Sequence, residues 1–477
     1  MTVRALRFPT QHEFHRGFDL IRTELDIADD FDADVQEELA NLGQSLGRFR
    51  AVTDITDRRD IELVTIDPPS SMDLDQAYNA VRIPGGYRVF YAIADPASFV
   101  APAGPLDNAT RNRGVTYYAP DHNSPLHPRS LSEHAASLLP DVDRPAVLWI
   151  IDLDDQGGPV DVQFKRAMVR SRAKLSYVEV QQQLDAGTAD ENLQLLREIG
   201  TARQELERQR GGVSINLPSQ EVVPTDIGYT LEHDDPIPVE NWNAQISLLA
   251  GMTAGSIMLD AGVGLLRTLP PPPQETLDEI RLHARGLNVE WAPELSYPDR
   301  VRLLDPGKPA EMALLSVAVR ALRGAGYLAL DGPTDQSTIH WAIGADYAHV
   351  TAPLRRVGDR FANEALLSIT AGAPLPGWVD EALPQLPKLL NRARRRESNL
   401  DRAIVDFAEA LILKPLIGQM FTATVTGQRR DGDAIIQIAD PAVSTVISAE
   451  AEPGTKIRVR LVDANPTKRS IRFEIQD

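Results

Sequence analysis

The sequence predicts an α+β protein with a small helical segment, a mixed α/β body and a five-stranded barrel at its C-terminus. Three observations predict this. Apolar residues recur at helical spacing in the first 58 positions, strand-like and helix-like runs are mixed from 59 to 414, and short β-rich runs fill 415–477. At 477 residues the chain exceeds what one hydrophobic core supports, so domains at 1–58, 59–414 and 415–477 are expected.

In the first segment Phe14, Phe18, Ile21 and Leu25 share one helical face. Val35, Leu39 and Leu42 suggest a second helix, with Asp32 or Asp34 as its start. Two such helices are compatible with a helix-turn-helix, although no residue marks a recognition helix. In the body, 61–66 and 87–94 read as strands, and the first ends at Asp67. A hairpin is expected over 145–169, turning at 155–158, followed by helices at 175–184 and 190–210. The stretch 243–262 is apolar on nearly every face and reads as a buried helix whose Gly and Ala permit close packing. Prolines 270–273 form a stiff extended connection, and a basic helix covers 386–413. After Pro415, strands are expected at 420–427, 433–439, 442–448, 456–464 and 469–475. Turn signals at 430–432, 453–454 and 465–466 separate them, a pattern that suits a small OB-fold barrel.

The absence of cysteine excludes disulfides, thiolate metal sites and cysteine nucleophiles. It fits a reducing compartment. The first thirty residues are too polar for a signal peptide, and apolar runs such as 404–413 are too short to span a bilayer. A cytoplasmic protein with no membrane partner is expected. A net charge of −19 argues at first against a nucleic-acid partner. Total charge, however, sets solubility and steering, whereas a groove is positive wherever its own cations sit. Such cations cluster at 349–360 and 388–402.

The most informative stretch is TIDPPSSMDLDQA, residues 65–77. Asp67 ends a strand, two prolines stiffen the turn, and Asp73 and Asp75 stand two apart, on one face of an extended chain. Three carboxylates at one locus raise one another's pKa unless a cation neutralises them. With all-oxygen ligands that cation is hard, Mg²⁺ or Mn²⁺ in its place. Carboxylate-bound metal of this kind suits phosphodiester cleavage. Two other readings stand beside it: Asp73 as the cap of a helix beginning near 74, and a carboxylate pair acting on a glycosidic bond.

Three further motifs follow in order: AIADPASFV at 92–100, GVTYYAPDHNSPLHPRSLSEHAASL at 114–138, and HWAIGADYAHVTAPLRRVGD at 340–359. Together with 65–77 they resemble the ribonuclease II / ribonuclease R family of hydrolytic 3′-to-5′ exoribonucleases, over essentially everything from residue 59 onward. The resemblance implies a ribonuclease II-type catalytic domain and a C-terminal OB-fold RNA-binding domain. It implies metal binding by Asp67, Asp73 and Asp75, with Asp75 indispensable for cleavage. It also implies that Arg355 holds the scissile phosphate, for which a guanidinium offers two parallel hydrogen bonds. By position Arg355 could equally be a surface or ion-paired arginine. Tyr118 matches the family's base-stacking tyrosine, with Tyr117 as the alternative and an ordinary core position open to both. The function implied is processive hydrolysis of single-stranded RNA to nucleoside 5′-monophosphates by metal-activated water, in a monomer. The alternative is a catalytically inactive RNA-binding regulator on the same scaffold.

Position 76 departs from the family pattern, which continues with another aspartate where this chain has Gln76. An amide offers a cation one carbonyl oxygen and less charge. Gln245 stands near where relatives carry glutamates. Residues 1–58 are too few and too helical for the paired cold-shock barrels of relatives, so weaker anchoring of long RNA is expected, with catalysis retained. In the terminal barrel Arg458, Arg460, Lys468, Arg469 and Arg472 are available for phosphates, and Phe421 and Phe473 either stack on bases or fill the core.

Overall fold

The computed structural model describes residues 9–43, 55–215, 219–226, 228–234, 236–428 and 432–476. Two helices come first, α1 (Gln11–Glu24) and α2 (Ala33–Gly43), as the periodicity predicts. Glu13 starts α1 by accepting from the Thr10 backbone N–H at 2.9 Å and its hydroxyl at 3.0 Å. Phe14, Phe18 and Ile21 are buried, whereas the rest of the expected 1–58 segment, 1–8 and 44–54, lies outside the described residues.

Six strands follow: β1 (Thr56–Asp57), β2 (Leu63–Ile66), β3 (Gln76–Ile83), β4 (Gly86–Ala94), β5 (Asp143–Asp154) and β6 (Pro159–Leu175), with α3 (Pro105–Arg113) between β4 and β5. Strands β2 to β6 close into a five-stranded barrel, which the sequence reading did not anticipate. Closure depends on β6. At 17 residues it is long enough to pair antiparallel with β5 and parallel with β2. Alternation along β4 feeds two cores. Val89, Tyr91 and Ile93 pack with Trp149, whereas Ala92 and Ala94 join Leu63, Leu74 and Leu354 on the other face.

The chain continues through α4 (Tyr177–Ala186), α5 (Glu191–Gln209), β7 (Ser219–Pro224), β8 (Tyr229–Asp234), α6 (Pro238–Ala261), β9 (Val263–Thr268) and α7 (Gln274–Gly286). Then come α8 (Tyr297–Arg302), α9 (Pro309–Ala318), β10 (Gly326–Asp331), β11 (Ile339–His340), β12 (Ala345–Asp346), α10 (Val357–Thr370), α11 (Gly377–Ala382) and α12 (Leu386–Leu413). Helix α6 packs closely, as its composition suggests. A Cβ at Gly251 would lie 2.1 Å from the Tyr347 ring, and one at Gly255 would lie 2.6 Å from the Tyr347 backbone nitrogen. This contact fixes the chain that leads on to Arg355. Among the described residues no helix is long and apolar enough to cross a membrane.

The last five strands are β13 (Met420–Gln428), β14 (Ala434–Ile438), β15 (Val443–Ile447), β16 (Lys456–Asn465) and β17 (Ser470–Ile475). They pair in the order β15-β14-β13-β16-β17, a nearly closed barrel matching the five expected strands. The expected turn at 430–432 falls outside the described residues at 430 and 431. Phe421 and Phe473 meet edge to face at 5.8 Å, and Phe473 is buried in the barrel core. Arg458, Arg460, Lys468 and Arg472 are exposed, with Arg460 and Arg472 both paired to Glu474, and Arg469 is ion-paired with Glu24 of α1.

Candidate active site

Strand β2 delivers Asp67 to one end of the barrel, and the turn after it is held from outside. The Lys174 ammonium, at the end of β6, donates to the carbonyls of Pro69 at 2.7 Å and Ser71 at 2.5 Å. The chain then passes through 71–75, which form neither helix nor strand, into β3. Leu74 is fully buried, and the Ser137 hydroxyl bridges its backbone: it accepts from Leu74 N–H at 3.0 Å and donates to Met72 O at 2.6 Å. With Leu74 anchored, Asp73 and Asp75 flank it in the alternating pattern the sequence suggests. A strand follows this segment, so the helix-cap reading of Asp73 is not realised.

Arg355 arrives from far along the chain, in the loop before α10. Asp359 in the first turn of α10 accepts from Ala352 N–H at 2.8 Å and pairs with Arg356 at 2.7 Å. Arg355 O accepts from Thr116 N–H at 3.0 Å, which ties this loop to the segment carrying Tyr118. The loop is also bound to the acidic turn directly. The Leu354 N–H donates to Asp75 Oδ1 at 2.7 Å, and Arg355 Nε lies 3.3 Å from Asp75 Oδ2. Asp75 is 4% exposed, whereas the Arg355 side chain is 46% exposed, so the guanidinium presents donors to solvent beside a buried carboxylate.

The three aspartates share one electrostatic environment. Burial pushes Asp67 up to about 6, with Arg355 opposing and the Asp73 charge adding to the rise. Burial likewise raises Asp73, and it raises Asp75 well above the carboxylate range against the pull of Arg355. Asp67 Oδ2 is buried with no hydrogen-bond partner. The Asp73 charge acts on both Asp67 and Asp75. Among the described residues, however, no group of three His or carboxylate side chains is placed to hold a metal ion, so the three aspartates expected to gather around one are not brought together as a ready-made site. The unpartnered buried oxygen of Asp67 and the all-oxygen donor set are the features here that fit a hard divalent cation.

Tyr118 is 45% exposed, and its hydroxyl donates to Asp73 Oδ2 at 3.2 Å. Tyr117, the alternative in the sequence, is buried and donates to Arg113 O at 3.0 Å. Behind Tyr118 and Arg355 lies a cavity of about 230 Å³, lined also by Arg267, Tyr327, His349, Arg356 and Arg394. The two basic clusters of the sequence thus converge here. Arg267 and Tyr327 gave no sequence signal of their own. Gln245 does not join this site: its amide donates to Glu207 of α5 at 2.5 Å.

The RNB domain family model matches residues 55–371, and that of the RNase II-type exonuclease C-terminal S1 domain matches 419–476. Ribonuclease R of Escherichia coli (strain K12) is 26% identical over 423 residues, covering 82% of this chain and 51% of that protein. The chain spans about half the length of the curated relatives it matches. In fold it is similar to Mycoplasma genitalium RNase R in complex with ribose methylated single-stranded RNA, with a TM-score of 0.84, 18% identity and coverage of 97% of this chain and 78% of the other. It is also similar to yeast Ssd1, described as a pseudonuclease, with a TM-score of 0.69, 17% identity and coverage of 91% and 54%.

Proposed function

The chain belongs to the RNB-domain family, and from that premise we propose that it is a 3′-to-5′ exoribonuclease hydrolysing single-stranded RNA to nucleoside 5′-monophosphates. The observation that carries the proposal is the pairing of Arg355 with Asp75 at 3.3 Å, beside Asp67 and Asp73. A phosphate-binding cation and a cation-binding carboxylate cluster are what phosphodiester hydrolysis needs side by side. The single-stranded RNA in the complex of the Mycoplasma relative supports the substrate class.

Mg²⁺, or Mn²⁺ in its place, held by Asp67, Asp73 and Asp75 would neutralise their charge and acidify the attacking water. Arg355 donates to the non-bridging oxygens of the terminal phosphodiester and offsets charge that builds in the transition state. Tyr118 offers its face to a base, a contact that tolerates any sequence. Water adds at phosphorus, the bond to the 3′ oxygen of the preceding nucleotide breaks, and that oxygen leaves protonated. The terminal nucleotide departs with its 5′-phosphate. On the same reading the protein works as a cytoplasmic monomer.

A 5′-labelled RNA incubated with protein and Mg²⁺ should shorten stepwise, and a circular RNA should survive. Asp75→Asn keeps an oxygen for the Leu354 N–H and removes the charge, so cleavage should fall at least about a hundredfold while RNA binding persists. Undiminished cleavage by that variant would overturn the proposal. A second reading, an RNA-binding protein without catalysis, is favoured by Gln76 and by the likeness to a pseudonuclease. RNA binding with no shortening at any Mg²⁺ or Mn²⁺ concentration would select it.

A further inference from the structure

Gln76 opens β3 directly after Asp75. A primary amide has two N–H donors and one carbonyl acceptor. Its Nε2 donates to the Thr351 carbonyl at 2.8 Å. A carbonyl only accepts, so this contact fixes which end of the amide is nitrogen. The amide oxygen therefore faces the other way. It accepts from the Tyr91 hydroxyl at 2.5 Å and lies 3.3 Å from Ser247 Oγ, and the Tyr91 and Ser247 hydroxyls are 2.7 Å apart. Tyr91 is 1% exposed. Both ends of the amide are engaged, and four stretches of chain meet at it: the acidic turn, β4, α6 and the Arg355 loop.

We infer that Gln76 is a positioning residue for the hydrolysis proposed above, not a ligand of the divalent cation. Asp75 and Gln76 grip the same loop at two points. Asp75 Oδ1 accepts from Leu354 N–H, and Gln76 Nε2 donates to Thr351 O. Two anchors three residues apart leave the loop little freedom to pivot, so Arg355 is held at a fixed distance from the aspartates. The amide oxygen, the one atom that could ligate a metal, is turned toward Tyr91 and Ser247. A carboxylate at this position would have no donor for Thr351 O and would set its charge against that carbonyl. Gln76 thereby keeps the loop in register at the expense of one acidic group beside Asp75.

The inference rests on the exoribonuclease reading, and Gln76→Glu separates the two. The change is isosteric, and its expected sign differs between roles. For a positioning residue, kcat on 5′-labelled single-stranded RNA should fall about tenfold or more, with KM within about threefold of the starting protein. Mn²⁺ affinity of the RNA-free protein, read by titration calorimetry, should stay the same or weaken, because disturbing a group outside the ligand shell loosens a metal and does not tighten it. For a metal ligand the added charge would tighten Mn²⁺ about tenfold or more. That result, or a kcat held or raised, would overturn the inference. A lowered melting temperature with kcat unchanged below it would overturn it too, because it marks a purely structural amide. Gln76→Met, uncharged and of similar volume, should show the same loss of kcat and serves if the Glu variant fails to fold. If the starting protein shortens no RNA with either metal, the exoribonuclease reading fails. The Mn²⁺ titration then decides alone whether residue 76 is a ligand.

Discussion

Removing the ionisable group at Glu409 should make the protein more stable at alkaline pH and leave it unchanged near pH 4.5. Glu409 lies on α12 where the helix meets the C-terminal barrel and is 5% exposed. It accepts from Gln220 Nε2 at 2.8 Å and from the Ser444 backbone N–H at 3.4 Å. Gln220 also donates to Ala442 O at 2.6 Å, so the carboxyl, β7 and the barrel share one hydrogen-bonded contact. Burial pushes Glu409 from 4.5 up to about 7, the two hydrogen bonds pull the other way, and the Asp406 charge adds to the rise. A carboxyl whose pKa is raised on folding gives its full stability below 4.5, where both states carry the proton. Between 4.5 and 7 the unfolded chain ionises first and stability falls. Above 7 the loss is complete. At ~1.4 kcal/mol per pH unit, that interval corresponds to roughly 3 kcal/mol. The amide that Glu409→Gln introduces accepts the same two hydrogen bonds and never ionises. In urea denaturation followed by circular dichroism, this variant should match the starting protein at pH 4.5 and exceed it by about 3 kcal/mol at pH 8. Titrating groups that do not interact with Glu409 are common to both proteins and cancel in the difference, which leaves the coupling to Asp406 as part of what is measured. A difference of equal size at both pH values would refute the reasoning.

Gly255→Ala would set a methyl 2.6 Å from the Tyr347 backbone, so thermal unfolding should report a loss of about 1–3 kcal/mol. Tyr118→Ala should weaken binding of single-stranded RNA about tenfold in a filter or anisotropy assay, and Tyr118→Phe, which keeps the ring, should not. Equal weakening in both would mean the hydroxyl contact to Asp73, not the ring face, holds RNA. Arg360→Met would strip the fully buried Asp107 of its 2.6 Å partner and leave it Arg111 at 2.9 Å and the Ala103 N–H at 2.8 Å, a loss of about 3 kcal/mol in the same unfolding assay.

Local patterns were legible in the sequence, and contacts that close over long separations were not. The terminal barrel could be read because each of its strands alternates and each turn is marked within a few residues. The barrel of β2 to β6 could not, because it closes through β6, whose partners within the barrel, β2 and β5, lie about 80 residues apart in the chain. The acidic site divides in the same way. That Asp73 and Asp75 share a face follows from their spacing. That the face belongs to the site follows from Leu74, whose burial and Ser137 bridge turn the segment the right way and exclude the competing cap. Tyr117 and Tyr118 are adjacent and chemically alike, so only packing distinguishes the core ring from the exposed one. Gln76 is the extreme case. Read from the sequence it is a carboxylate that lost its charge. Its partners are Tyr91 on a neighbouring strand, and Ser247 and Thr351 at separations of 171 and 275 residues, and together they give the amide a use that no local pattern encodes. A departure from a family motif is therefore weak grounds for inferring decay until the new side chain's partners are known. Here the departing residue grips the loop that carries Arg355.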